Sequence, residues 1–190
     1  MALTNEMANF AEFTVEKKVE GAYRWKRIGM WLSYFIVPFL LMALMFAFGL
    51  GAIALIIFIP LYFPFILPKL VYPATFRYVD IEYEYTVVAG DISVFYIFGR
   101  KSRKEWLPPT SISGMSYIAP YRDEYKAEAD KTDIVHRYEA VATKNHPDNY
   151  YAIFNNAKGE KCLLMFQATN KVLKLFAFHN RKTVVTVVSA

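Results

Sequence analysis

Three hydrophobic patterns succeed one another along the chain. The first is an unbroken apolar run: residues 28–68, 41 in a row, contain no Asp, Glu, Lys, Arg or His. A bilayer crossing takes roughly 20 residues for a hydrocarbon core of about 30 Å, so the run predicts two transmembrane helices. Gly49 and Gly51 sit near its middle and predict a tight turn, with helices over residues 28–48 and 51 to about 67. A secretory signal fits poorly, because the run begins behind a charged segment and is far longer than a signal's apolar core of roughly 7–15 residues.

The second pattern has period two. In "VDIEYEYTV", residues 79–87, Val79, Ile81, Tyr83, Tyr85 and Val87 share one face, and Asp80, Glu82, Glu84 and Thr86 the other. "AGD" at 89–91 marks a turn and "ISVFYIF" at 92–98 the returning strand. Gly99 opens a second turn, and residues 103–107 begin a third strand that Pro108 and Pro109 should end. A short fourth strand fits "SISGMSYIA", and three more fit 133–142, 150–155 and 161–167. Residues 121–133 are polar all round and read as an exposed loop or short helix. The segment "AEFTVEKKVE", 11–20, suits either a further strand or a helix along a membrane.

The third pattern is helical. Thr169 or Asn170 can cap a C-terminal helix whose inner face carries Val172, Leu173, Leu175, Phe176 and His179. The expected organisation is a juxtamembrane segment (1–27), a helical hairpin (28–71), a cytoplasmic β domain (72–182) and a tail (183–190).

Charge orients the hairpin. Arg24, Lys26 and Arg27 precede it, Lys69 and Arg77 follow it, and the turn carries none, which predicts both termini in the cytoplasm. Trp25, Trp31, Tyr62 and Tyr72 lie near the cytoplasmic ends, where such rings anchor. Pro38 in the first helix and Pro60, Pro64 and Pro68 in the second suggest kinks, with the second helix unravelling toward the interface. Broken helices build ion sites in transporters, but this hairpin has no ionisable residue, and the reading is an anchor. The composition, 55% hydrophobic with a net charge of +5 and one cysteine, agrees with a cytosol-facing domain beside an anionic membrane.

Four strands, three strands and a closing helix resemble the pleckstrin-homology superfold. The hairpin, "YEYTVVAGDISVFYIFGRKSRKEWLP" and "KCLLMFQATNKVLKLFAFHNRKTVV" together resemble a bacterial membrane-anchored protein with a pleckstrin-homology-like domain. The pattern is also similar to a clostridial family of two-helix membrane proteins. The resemblance implies an α + β membrane protein whose antiparallel curved sheet of about seven strands is closed by a C-terminal helix.

Candidate chemistry centres on "GRKSRKEW", residues 99–106, a basic hairpin tip with Arg100, Lys101, Arg103 and Lys104, and Trp106 as an apolar neighbour. Such a tip serves as an anionic-lipid contact, a protein contact or a solvated turn. Eukaryotic relatives of the superfold often hold phosphoinositides at the loop between the first two strands. Here that loop, "VAGDI", has no cation. Nucleic acid is not expected, since no basic stripe interleaves with aromatics on one face. The acidic stretch holding Asp123, Glu124, Glu128, Asp130 and Asp133 lacks the oxygen spacing and glycine of a calcium loop. His136, His146 and His179 stand apart from each other, and Cys162 lies in an apolar strand.

The expected function is therefore a non-enzymatic binding or scaffolding module at the cytoplasmic leaflet of the cell membrane, with no cofactor and no metal. An accessory subunit that meets a membrane partner through its proline-rich hairpin is the alternative. An enzyme working at His136 or Cys162 comes third.

Overall fold

The computed structural model describes residues 10–131 and 133–185, apart from the Ala54 side chain. Residues 1–9 and 186–190, parts of the expected juxtamembrane segment and tail, lie outside the described residues. The chain divides into two compact units. One comprises Val19–Ile81 with Phe98–Ser102, and the other holds the remaining strands and the C-terminal helix.

The helical unit is a hairpin of α1 (Gly21–Ala47) and α2 (Gly51–Val79), both long and apolar enough to cross a membrane. Its turn is a Schellman cap: Gly49 N–H donates to Phe46 O at 3.0 Å and Leu50 N–H to Met45 O at 2.8 Å. Gly49 has φ +75°, which favours glycine. At Gly51 a Cβ would press on the Phe46 ring, an exposed side chain that would have to swing aside.

The prolines act differently in the two helices. Pro38 leaves the Tyr34 carbonyl without its helical donor, and the Tyr62 hydroxyl donates to that carbonyl at 3.4 Å. In α2, Pro60, Pro64 and Pro68 deny donors to the carbonyls four residues earlier. Those carbonyls must reach one residue further on, and much of the helix, Ala54–Phe58 and Tyr62–Val71, is π-helical. The expected unravelling does not occur. Past residue 71 the helix continues through Tyr72–Thr75 and a 3-10 turn, Phe76–Val79.

In the second unit, eight strands form two sheets among the described residues. Sheet A has the order β1 (Phe10–Glu16), β2 (Ile81–Val88), β3 (Asp91–Phe98), β4 (Ser102–Ser111). The open question about residues 11–20 is answered: β1 pairs antiparallel with β2, Phe13 opposite Tyr85. Ala11 and Val15 are buried, and Phe13 stacks on Tyr85 with ring centroids 4.7 Å apart. Pro108 and Pro109 do not end β4. The strand passes through them, and because β4 is an edge, only one of the two adjacent prolines lacks an N–H on the side facing β3.

Sheet B has the order β5 (Tyr117–Pro120), β7 (Asn149–Asn155), β8 (Lys161–Gln167), β6 (His136–Ala140). The expected single antiparallel sheet is corrected on two counts: there are two sheets, and β6 runs parallel to β8. Nearly every residue of β7 and β8 is buried, so both faces of sheet B are covered. The segment expected to be exposed covers one of them. Its short helix α3 (Lys126–Ala129) buries Ala129, and Ala129 and Ile134 pack with Tyr151, Ile153, Leu163 and Met165. The Tyr151 hydroxyl donates to Tyr125 O at 2.6 Å.

Helix α4 (Asn170–His179) has the predicted cap, Thr169 Oγ1 accepting from Val172 N–H at 3.3 Å. It buries Val172, Leu175 and Phe176, the last stacked 5.0 Å from Phe166. Asn180 follows and donates to Ile112 O and Met115 O, both at 2.8 Å. The expected tail begins inside the fold, where Val184 bridges Ile118 on β5.

Candidate functional site

The turn between β3 and β4 has positive φ at Gly99 (+55°) and Arg100 (+58°), with Lys101 N–H donating to Phe98 O at 3.2 Å. This is a type I′ hairpin turn, whose twist matches the strands it joins. Glycine meets the demand at the first position without strain. Arg100 meets it at a steric cost of about 1–2 kcal/mol.

Gly99 also fixes where the turn sits. Its N–H donates to Asp80 O at 2.8 Å, and a Cβ at Gly99 would lie 2.7 Å from Arg77 Cβ. The tip is thereby seated on the last turn of α2, so Phe98–Ser102 group with the helices. Around them lies the foot of the hairpin. Tyr34 donates to Thr75 Oγ1 at 2.7 Å, a direction set by Thr75 spending its own proton on Val71 O. The Tyr23 hydroxyl donates to Val79 O at 2.7 Å. Tyr72 stacks on Phe76 at 4.6 Å, Trp31 meets the Phe76 ring edge-on at 5.7 Å, and the Arg27 guanidinium lies 5.2 Å from its centroid.

A cavity of about 230 Å³ opens here, lined by Tyr72, Pro73, Phe76, Arg77, Asp80, Gly99 and Lys101. Arg77 donates through Nη2 to the Tyr78 hydroxyl at 2.9 Å, while its buried Nε has no hydrogen-bond partner among the described residues.

The basic cluster is divided between the two units. Arg100 and Lys101 belong with the foot of the hairpin, whereas Arg103 starts the β unit. Arg103 lies over the Phe95 ring of β3, 3.7 Å from its centroid, and pairs with the buried carboxylate of Glu84 on β2. That pairing neutralises a charge costly to bury, so Arg103 is a structural residue. Lys104 is exposed. Trp106 is half-buried in an aromatic cluster, 4.3 Å from Tyr96, 5.9 Å from Tyr83 and 5.4 Å from Tyr138, so it is a core residue more than a surface anchor. Arg77, Tyr72 and Asp80 join the site instead. Only their place at the end of a long apolar helix signalled them in the sequence.

The other candidate side chains are engaged elsewhere. His136 Nε2 lies 3.2 Å from Glu160, whose carboxyl is held below its ordinary range by Asn156 first and His136 second. Gln167 Nε2 sits 2.8 Å from His146 Nδ1. The His179 ring packs where a Cβ at Gly90 would fall. Cys162 is buried and donates to Glu160 O, and burial pushes its thiol up, away from the reactive thiolate. In the acidic stretch, Glu128 pairs with Lys131 at 2.6 Å and Asp133 with Lys161 at 2.7 Å. Among the described residues no three of His, Cys, Asp and Glu come together at metal-ligand distance.

Among the described residues, two four-stranded sheets with a helix packed at one end define a pleckstrin-homology-like sandwich. Residues 6–186 match a family described as "Bacterial PH-like domain (DUF6106)", and the chain belongs to that family. The match runs through the helical hairpin as well as the sheets. No curated protein and no solved structure matches the chain.

Proposed function

We propose that the protein is a non-enzymatic binding module anchored in the cell membrane by α1 and α2. Both termini lie in the cytoplasm, and the turn at Gly99–Ser102 meets the lipid headgroups. The observation that carries this reading is the grouping of that turn with the charged, aromatic foot of the helices. A basic tip seated there lies where each cation gains about 1 kcal/mol from an acidic leaflet. The apolar faces of both helices support the anchor, with Leu40, Phe39, Ile56 and Ile57 more than half exposed. The sandwich, recruited to the surface, would raise the local concentration of a partner there.

Cysteine labelling of the full chain in intact cells tests the orientation. Leu50→Cys should react with a membrane-impermeant maleimide from outside, and Ser102→Cys only after the cells are opened. Cys162, being buried, contributes little background. The opposite pattern would refute the reading.

A second reading, an accessory subunit contacting a membrane partner through α2, draws on the π-helical stretches around its prolines, a geometry often found at functional sites. It predicts one stoichiometric membrane partner that is lost when Pro60 and Pro64 are replaced and kept when Lys101 is neutralised.

A further inference from the structure

We propose that the cavity at the foot of α2 binds the phosphodiester of a membrane phospholipid, with Arg77 and Lys101 holding its oxygens. This inference rests on the membrane-anchored reading and adds to it a ligand class and a defined site.

Depth is the first argument. Residues 51–68 would rise about 27 Å as a regular α-helix, and their π-helical turns shorten that, so a hydrocarbon core of about 30 Å ends several Å beyond Pro68. Tyr72 and Arg77 lie about 6 and 13 Å beyond Pro68, so Tyr72 falls at the edge of the core and Arg77 in the headgroup layer, which is about 5–8 Å deep on each side. The cavity opens at that level.

Chemistry is the second. One wall is Tyr72, Pro73 and Phe76, apolar surface suited to a glycerol backbone and the start of an acyl chain. The other presents Arg77 and Lys101, with Asp80 as the single carboxylate. Two cations against one anion leave a formal charge of +1, which one phosphodiester balances. A headgroup with several phosphates gains nothing further and meets Asp80. Arg77 Nε has no acceptor among the described residues, and the guanidinium it belongs to lines the cavity, where a phosphate oxygen can accept a charge-assisted bond. The third argument is preorganisation. Gly99 is clamped to Asp80 O and against Arg77, so the tip bearing Lys101 needs no ordering before a headgroup enters.

The experiment uses the full chain in nonionic detergent micelles doped with phosphatidylglycerol, phosphatidylethanolamine or diacylglycerol. Lipid retained per chain is read by native mass spectrometry. The expected result is one phosphatidylglycerol or phosphatidylethanolamine per chain and no specific retention of diacylglycerol. Lys101→Ala should weaken retention about fivefold, and Arg77→Met by more. If Arg77→Met fails to fold, Lys101→Ala and Lys101→Glu decide, since Lys101 is exposed. Equal retention of diacylglycerol, or retention unchanged in both Lys101 variants, overturns the proposal. Displacement of the lipid by millimolar inorganic phosphate would assign the site to the free ion and also overturn it. Lipid retention in micelles does not depend on orientation. Reversed maleimide labelling with intact binding would therefore refute the topology and leave the site standing.

Discussion

Strands β7 and β8 and the helical hairpin are written in similar letters and meet opposite fates. "CLLMF" in β8 is buried throughout, whereas along α1 only Tyr34 and Pro38 are buried. Length separates them. A seven-residue strand can be covered on both faces by protein, here by residues packed from Ala129 and Ile134 on one side. Forty-one uncharged residues instead form two helices long and apolar enough to cross a membrane, and the protein leaves most of their large apolar side chains exposed. An apolar run thus names a need for cover. The short run of β8 finds it within the protein, and the long run of the hairpin does not.

The widest test sets one leucine from each region against the other. Leu164 is fully buried in β8 and Leu40 is 65% exposed on α1. Leu164→Ala should lower the unfolding free energy of the β unit by about 2–5 kcal/mol, from lost burial and the cavity left behind. Leu40→Ala should leave it within about 0.5 kcal/mol, both read by denaturant titration of near-ultraviolet dichroism. Leu40→Asp reverses the emphasis. It should spare the β unit yet cost about 2.5–3.5 kcal/mol of membrane insertion near the helix centre, read as the fraction integrated. A β unit that loses stability in Leu40→Asp would mean that protein, not lipid, covers that face.

Gly99→Ala probes the turn where the chain passes from β3 to the helical unit and back. Alanine there must adopt φ near +55° and would press on Arg77 Cβ and Cα. The left-handed strain alone is about 1–2 kcal/mol. Hydrogen exchange at the Gly99 amide, now bonded to Asp80 O, should speed up by roughly tenfold or more, while the amides of β8 keep their protection. Equal loosening of both would show that the turn is not an independently seated element.

What could be read in the sequence follows the same division between local and distant causes. Gly49 and Gly51, the alternation of Tyr83, Tyr85 and Val87, and the Thr169 cap are each set by neighbours a few residues away, and each was legible. The pairing of β1 with β2 was not, although Ala11, Phe13 and Val15 already alternate, because the partner lies some 70 residues on. Arg103 reads as one more exposed cation until the sheet places Phe95 beneath it and Glu84 beyond. The unbroken apolar letters of β7 and β8 did carry a signal. They require cover on both faces, and residues 121–133, read as exposed, were one segment free to provide it. At the candidate site the sequence supplied Lys101, but the contribution of Arg77 depends on Gly99 bringing two distant turns together.

That cover over sheet B gives the smallest effect and the sharpest sign. Asp133, where the covering segment returns toward β6, pairs with Lys161 of β8 at 2.7 Å, and the Lys161 hydrogen bond holds its carboxyl below the ordinary range. In the unfolded chain that carboxyl binds a proton at higher pH than in the folded one. Unfolded protein therefore holds more protons between the two values, and stability rises with pH across that window. The contribution should be fully present above about pH 5, clear of the ordinary carboxylate value, and be lost as pH falls through the lowered one. Both partners are exposed, so the effect is small and salt-sensitive. Denaturation midpoints of the native chain and Asp133→Asn should differ slightly at pH 6 in low salt and converge as the pH drops toward 3. A gap that persists in acid would mean that Asp133 holds the segment through shape or hydrogen bonding, and that charge plays no part in closing the second face of sheet B.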